Sequence, residues 1–163
     1  MLFPGQPRDR WVAVMVRMGL AHLQRSQRAD RLSRWHLQAG IAAEHATAAD
    51  YASTDWPTIV QYHDTLVALD GSAAPRLGQA IALAEAGEPQ RALALLQALQ
   101  PELPAALLAH LLAAQARAHE RLGDMPQAKC LLLQALGRRR MRSMHGCWRS
   151  GLQRCTRRSE TGV

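Results

Sequence analysis

The chain has 163 residues, of which Ala and Leu supply 53 and Val and Ile only nine. This length fits one domain with a real core, and this composition favours helices and argues against a β-sheet. The net charge of +7 lies wholly in residues 138–163, which hold eight Arg and one Glu, while residues 1–137 carry 12 basic and 12 acidic side chains. The body of the chain therefore shows no charge signal for nucleic-acid binding.

Helical spacing of apolar residues predicts seven helices along the chain. Their expected spans are about residues 10–27, 32–48, 54–69, 73–86, 89–99, 103–122 and 125–137. The third helix has the clearest start, since Thr54 and Asp55 are capping residues and Pro57 falls in the first turn. Met15 in the first helix and Trp35 in the second are expected to face the core.

One spacing occurs twice, at an offset of 36 residues. A small residue is followed by a glycine seven residues on, then by an alanine and a leucine; the two sets are Ala80, Gly87, Ala92, Leu96 and Ala116, Gly123, Ala128, Leu132. Small side chains let two helices cross closely, and the glycines can adopt the left-handed conformation that ends a helix. Pro89 and Pro126 fall in the first turn of the following helix. Leu96 and Leu132 are then expected to face the groove of the helical stack.

This pattern resembles the tetratricopeptide (TPR) repeat, in which each repeat is a helical hairpin. His119 and Leu132 stand where that repeat usually has aromatic residues, and an unrelated pair of Ala/Leu hairpins would show the same small-residue spacing. We expect an all-α fold of about seven helices, stacked as antiparallel hairpins in a TPR-like right-handed superhelix over residues 1–137. The remaining residues 138–163 are expected to form a basic, disordered tail.

The middle of the chain also resembles the C-terminal extension of one subgroup of extracytoplasmic-function RNA polymerase sigma factors, of the sigma-70 family. In that subgroup a TPR-like helical domain follows the promoter-binding regions. The likeness covers about residues 9–136 and is carried by segments that occur in the same order: DRW at Asp9–Trp11, LQAGIAAEHA at Leu37–Ala46, TDWPTIVQYHDTLVAL at Thr54–Leu69, AIALAEAGEPQRALALLQAL at Ala80–Leu99 and RLGDMPQA at Arg121–Ala128.

The resemblance implies a protein that contacts sigma regions or RNA polymerase in the cytoplasm of a bacterium and adjusts transcription. The promoter-binding regions, which precede this domain in the family, have no counterpart in residues 1–163. We therefore expect that this chain alone does not initiate transcription. Residues 138–163 do not resemble the family's C-terminus, and a shifted reading frame or a gene remnant is one hypothesis for their composition.

The first helices of TPR-like hairpins generally line a groove that binds a partner. If the predicted phase is right, five polar residues point into this groove: Glu85, His110, Arg117, Glu120 and Arg121. Their mixed charges suit a peptide or a protein domain better than a small apolar ligand. The alternative is that they are ordinary solvated positions.

The basic tail is the second candidate for binding. Its arginines could hold nucleic acid through phosphate contacts, and its tryptophan offers one stacking group; the residues are Arg138, Arg139, Arg140, Arg142 and Trp148. A solvated tail without function is the alternative.

Other classes of function find little support in the sequence. There is no paired-histidine or CxxC metal motif, no glycine-rich phosphate loop and no nucleophile motif. Three cysteines do not make a secreted disulfide framework, and no apolar run approaches the roughly 18–20 residues that span a bilayer. We therefore expect no enzyme activity, no metal or other cofactor, no membrane insertion and a cytoplasmic location.

Overall fold

A computed structural model of the chain describes residues 13–26 and 33–138. This part of the chain contains seven α-helices and no strand. They are α1 (Ala13–Ser26), α2 (Arg34–Thr47), α3 (Trp56–Leu69), α4 (Ala73–Glu85), α5 (Pro89–Leu99), α6 (Leu108–Arg121) and α7 (residues 125–138). The all-α prediction is confirmed.

The helices pack as a stack of helical hairpins. Each of α1 to α4 contacts the helix that follows it, and α6 packs against both α4 and α5. Leu112 and Ala116 of α6 join Leu131 and Ala135 of α7 in one apolar cluster. The core of the stack lies between α4, α5 and α6, where Leu96, Leu99 and Leu111 are fully buried.

The third helix begins where the sequence predicts. The Asp55 carboxylate accepts a hydrogen bond from the Thr58 backbone N–H (3.0 Å) and another from the Thr58 hydroxyl (2.8 Å). These bonds satisfy a donor that the first turn of a helix leaves unpaired, and they lower the pKa of Asp55. Pro57 then lies in the first turn, where its missing N–H costs nothing.

The two repeats end their first helices in the same way. Gly87 and Gly123 have φ values of 92° and 81°, in the left-handed region that glycine adopts without strain. The next backbone N–H then reaches back to the last turn, from Glu88 to the Leu83 carbonyl and from Asp124 to the His119 carbonyl, each at 2.9 Å. The predicted left-handed glycine at the end of each first helix is thus confirmed in both repeats.

Two other predictions need correction. The sixth helix begins at Leu108 and not near residue 103, because Leu103 precedes Pro104 and takes an extended conformation (ψ 130°) after a short 3₁₀ turn, Gln100–Glu102. In α2, Trp35 is exposed and stacks against the Arg34 guanidinium, 4.8 Å from the ring centre. Gly40 lies on the buried face instead, where a Cβ atom would come within 3.0 Å of the Tyr62 ring.

The small-residue positions of the repeat are buried, but the leucines that follow them differ. Ala80, Ala92, Ala116 and Ala128 lie in the core. Leu96 was expected to face the groove and is instead fully buried, whereas Leu132 at the equivalent position of α7 is 46% exposed. Met15 of α1 was expected to face the core and is instead exposed.

Candidate interaction site

Glu85 is the last residue of α4, and its side chain is only 1% exposed. A carboxylate at this place is unfavourable in two ways, because it is removed from water and because it lies at the negative end of the helix dipole. Burial raises its pKa, but hydrogen bonds from Arg117, Arg121 and Tyr51 outweigh burial and leave the pKa of Glu85 below its ordinary value. The carboxylate is therefore charged and needs these partners.

Two arginines of α6 supply the compensating charge. Arg117 donates from Nε to Oε1 of Glu85 (2.5 Å) and from one terminal nitrogen to Oε2 (3.0 Å), which is the two-pronged geometry that guanidinium and carboxylate favour. Its other terminal nitrogen donates to Glu120 (2.6 Å), and Arg121 also donates to Oε2 of Glu85. The four side chains Glu85, Arg117, Glu120 and Arg121 form what we call the Glu85 network.

A fifth side chain comes from the segment between α2 and α3. Tyr51 is hydrogen-bonded to Glu85, and its pKa is raised by burial and by the charge of Glu85. The Tyr51 ring also packs edge-on against Trp56, with ring centres 5.0 Å apart. Tyr51 therefore joins the first residue of α3 to the ion pairs between α4 and α6, and the sequence alone gave no sign of this role.

The repeat explains how Glu85 and Arg121 meet. They are 36 residues apart, so they occupy equivalent positions in the two repeats, at the ends of α4 and α6. Because these two helices pack against each other, equivalent residues at their ends come close. A glutamate in one repeat and an arginine in the next thus form an ion pair.

His110, the fifth predicted groove residue, does not join the network. It lies in the first turn of α6, seven residues before Arg117, or about 10 Å along the helix. The ring is partly buried, and its Nδ1 atom has no hydrogen-bond partner among the described residues. The structure therefore brings four of the five predicted residues together and leaves His110 apart.

The predicted nucleic-acid-binding residues fall almost entirely beyond the described part of the chain. Arg138 is exposed at the end of α7. Arg139, Arg140, Arg142 and Trp148 lie outside the described residues. Binding by this segment stays a prediction.

The described residues show what this site can do chemically. Within residues 13–26 and 33–138, no group of three or more His, Cys, Asp or Glu side chains could hold a metal ion. No helix in these ranges is both long and apolar enough to cross a membrane. The Glu85 network is a fixed set of paired charges whose buried part joins α4 to α6 and whose outer part meets solvent. Its accessible chemistry is charge pairing and hydrogen bonding with another molecule.

Comparison with known proteins shows a similar protein but no matching family. No family model matches the chain, and no solved structure matches it. The chain is similar to an uncharacterized protein of Rhizobium meliloti (strain 1021), with 32% identity over 102 residues. The match covers 63% of this chain and 24% of that protein, so the chain spans about a quarter of this relative's length.

Proposed function

We propose that this protein is an interaction module of bacterial transcription, which works like the C-terminal helical domain of a TPR-containing sigma factor. It binds sigma regions or RNA polymerase in the cytoplasm and adjusts transcription through protein contact, without catalysing a reaction. Two features support the proposal: the stack of helical hairpins and the resemblance of about residues 9–136 to that domain.

The observation that carries a binding role is the outer part of the Glu85 network. Arg117, Glu120 and Arg121 keep 33%, 47% and 40% of their side chains exposed while their inner atoms are held by ion pairs. A surface whose charged groups are already held in place loses less side-chain entropy on binding than one with free side chains. Such a surface suits a partner with its own mixed charges.

The test is a pull-down of core RNA polymerase and of sigma-factor fragments by the full chain. Glu120→Ala is the informative variant, because Glu120 is exposed and its loss leaves the bonds from Arg117 and Arg121 to Glu85 in place. We expect Glu120→Ala, Arg117→Ala and Arg121→Ala each to reduce capture of the protein partner. Glu88→Ala, which removes an exposed glutamate paired with Arg91 on α5, is the matched control.

The two arginine variants need a check of folding, because either change leaves the buried Glu85 carboxylate with fewer partners. Circular dichroism of each variant supplies this check. Capture that is unchanged in Glu120→Ala and in the folded arginine variants would remove the network from the binding surface. Capture of DNA in place of protein would favour the alternative role as a nucleic-acid-binding accessory.

A further inference from the structure

The outer face of α7 carries exposed apolar side chains where the preceding repeat carries polar ones. Leu133 and Leu136 are 70% and 61% exposed, although α7 buries Ala128, Leu131 and Ala135 on its other side. At the equivalent positions, 36 residues earlier, the chain has the exposed glutamines Gln97 and Gln100. Polar side chains such as Gln97 and Gln100 are expected at solvent-exposed positions. The apolar side chains of Leu133 and Leu136 are not explained by contact with solvent.

The repeat also shows what covers such a face. On α5, the leucine equivalent to Leu132 is Leu96, which is fully buried in a cluster with Leu111 and Ala114 of α6. Leu132 is 46% exposed, because no described helix takes the place beside α7 that α6 takes beside α5. A helix in that place would continue the packing that the stack already uses.

The apolar residues on this side of α7 follow helical spacing. Met125, Leu132, Leu133 and Leu136 recur at intervals of seven, one and three residues, and Lys129 lies within the same stripe. All five are exposed. We call these five residues the α7 outer face. An apolar stripe of this kind is what an amphipathic helix covers when it packs lengthwise against another helix.

Charge selects among possible partner helices. Residues 125–138 contain Lys129 and Arg138 and no Asp or Glu. The exposed apolar residues of α1 are Val14, Met15 and Met18, and α1 carries Arg17 and Arg25 and no acidic residue. A second copy that docked through its α1 or α7 would bring like charges together, so charge disfavours self-association through these two helices and favours an acidic partner.

We propose that the α7 outer face binds an amphipathic α-helix of a partner protein, one whose apolar stripe is flanked by Asp or Glu. This inference rests on the proposed binding role, but it does not require the partner to be a sigma factor or RNA polymerase. The leucines supply the buried apolar contact, and Lys129 within the stripe selects for acidic side chains on the bound helix. The bound helix lies beside α7 as α6 lies beside α5.

The test uses the full chain and two fluorescein-labelled helical peptides of about 18 residues, or five turns. Both peptides carry leucines at helical spacing; one has glutamates beside the stripe and the other has lysines. Fluorescence anisotropy gives the dissociation constants. We expect the glutamate peptide to bind at least about tenfold more tightly than the lysine peptide, and Lys129→Glu to reduce that preference.

The decisive variant is the double change Leu133→Gln, Leu136→Gln, which gives α7 the residues that α5 has at these positions. It should weaken binding of the glutamate peptide by at least about tenfold, since both leucines lose apolar contact. The matched control is Val14→Gln, Met18→Gln at the far end of the stack, which should leave binding unchanged. Circular dichroism shows that each variant is folded, and sedimentation velocity gives its oligomeric state.

Three results would overturn the inference. One is equal affinity of the wild type and the α7 double variant for the glutamate peptide, and another is no binding of that peptide by the folded wild type. The third is a wild-type dimer that the α7 double variant converts to a monomer, because the face would then join two copies of this chain. Peptide binding that follows the prediction, together with no capture of polymerase or sigma fragments, would keep the α7 surface and remove the transcription partner.

Discussion

Replacing Glu85 with glutamine tests whether the buried ion pairs hold the end of the stack together. The change keeps the shape of the side chain and removes the charge that Arg117 and Arg121 bind. Breaking a fully buried pair costs about 3–5 kcal/mol, but these arginines are 33% and 40% exposed and can be hydrated in part. We therefore expect Glu85→Gln to lower the free energy of unfolding by about 2–3 kcal/mol.

Thermal and urea unfolding followed by circular dichroism measure this loss. For a chain of this size, about 2–3 kcal/mol corresponds to a fall in Tm of about 5–10 °C. Glu88→Gln is the matched control, since Glu88 pairs with Arg91 at an exposed i,i+3 position and should contribute less than about 1 kcal/mol. Equal losses in the two variants would refute the view that burial gives the Glu85 network its importance.

The pH dependence of the stability difference between wild type and Glu85→Gln tests whether the charged Glu85 carboxylate stabilises the fold. Because the pKa of Glu85 is lowered in the folded state, its stabilisation is present above the ordinary glutamate pKa. It is lost as pH falls through the lower, folded-state pKa. The wild-type protein should therefore lose its greater stability over Glu85→Gln as the solution is made strongly acidic. A stability difference that stays constant at all pH values would contradict the stabilising role of the ionised Glu85 carboxylate.

Three further predictions concern the packing of the stack. In urea unfolding, Leu96→Ala should lower the free energy of unfolding by about 2–5 kcal/mol, and Leu132→Ala at the equivalent position by less than about 1.5 kcal/mol, because only Leu96 is fully buried. Similar losses in the two variants would contradict the described packing. Gly87→Ala should cost about 1–2 kcal/mol by the same assay, since its φ of 92° strains any residue with a Cβ, and a neutral result would count against this turn. The pKa of His63 is lowered by burial, with a smaller opposing effect of Asp64, so protonation favours the unfolded state. The free energy of unfolding should therefore fall as pH is lowered from about 7 to about 5. His63→Gln should make this pH dependence weaker, and an unchanged pH dependence would exclude His63 as its source.

The local signals of the sequence predicted most of the fold. The two glycine turns, the Asp55 start of α3 and the buried alanines all follow from backbone geometry or small side-chain size, which neighbouring residues suffice to reveal. The buried face of α2 was predicted wrongly, because the apolar side chain of Trp35 suggested a position in the core. It is instead exposed, and Gly40 admits the Tyr62 ring on the buried face.

The candidate site shows a different limit. Glu85, Arg117, Glu120 and Arg121 were predicted as groove residues, and the structure adds that they bind one another. The 36-residue offset between Glu85 and Arg121 was visible in the sequence and could have predicted their contact. Tyr51 could not have been found in this way, since its place depends on how the segment before α3 crosses the end of α4.

The most direct test of the proposed function compares the full chain with a version that ends at Gly137, in binding to core RNA polymerase and to sigma-factor fragments. DNA serves as the control ligand, and binding is measured at low and high salt. We predict that the shortened chain keeps its protein partner with the same affinity as the full chain. Binding that disappears with residues 138–163, follows DNA and falls steeply with salt would contradict the account and assign the activity to the basic tail.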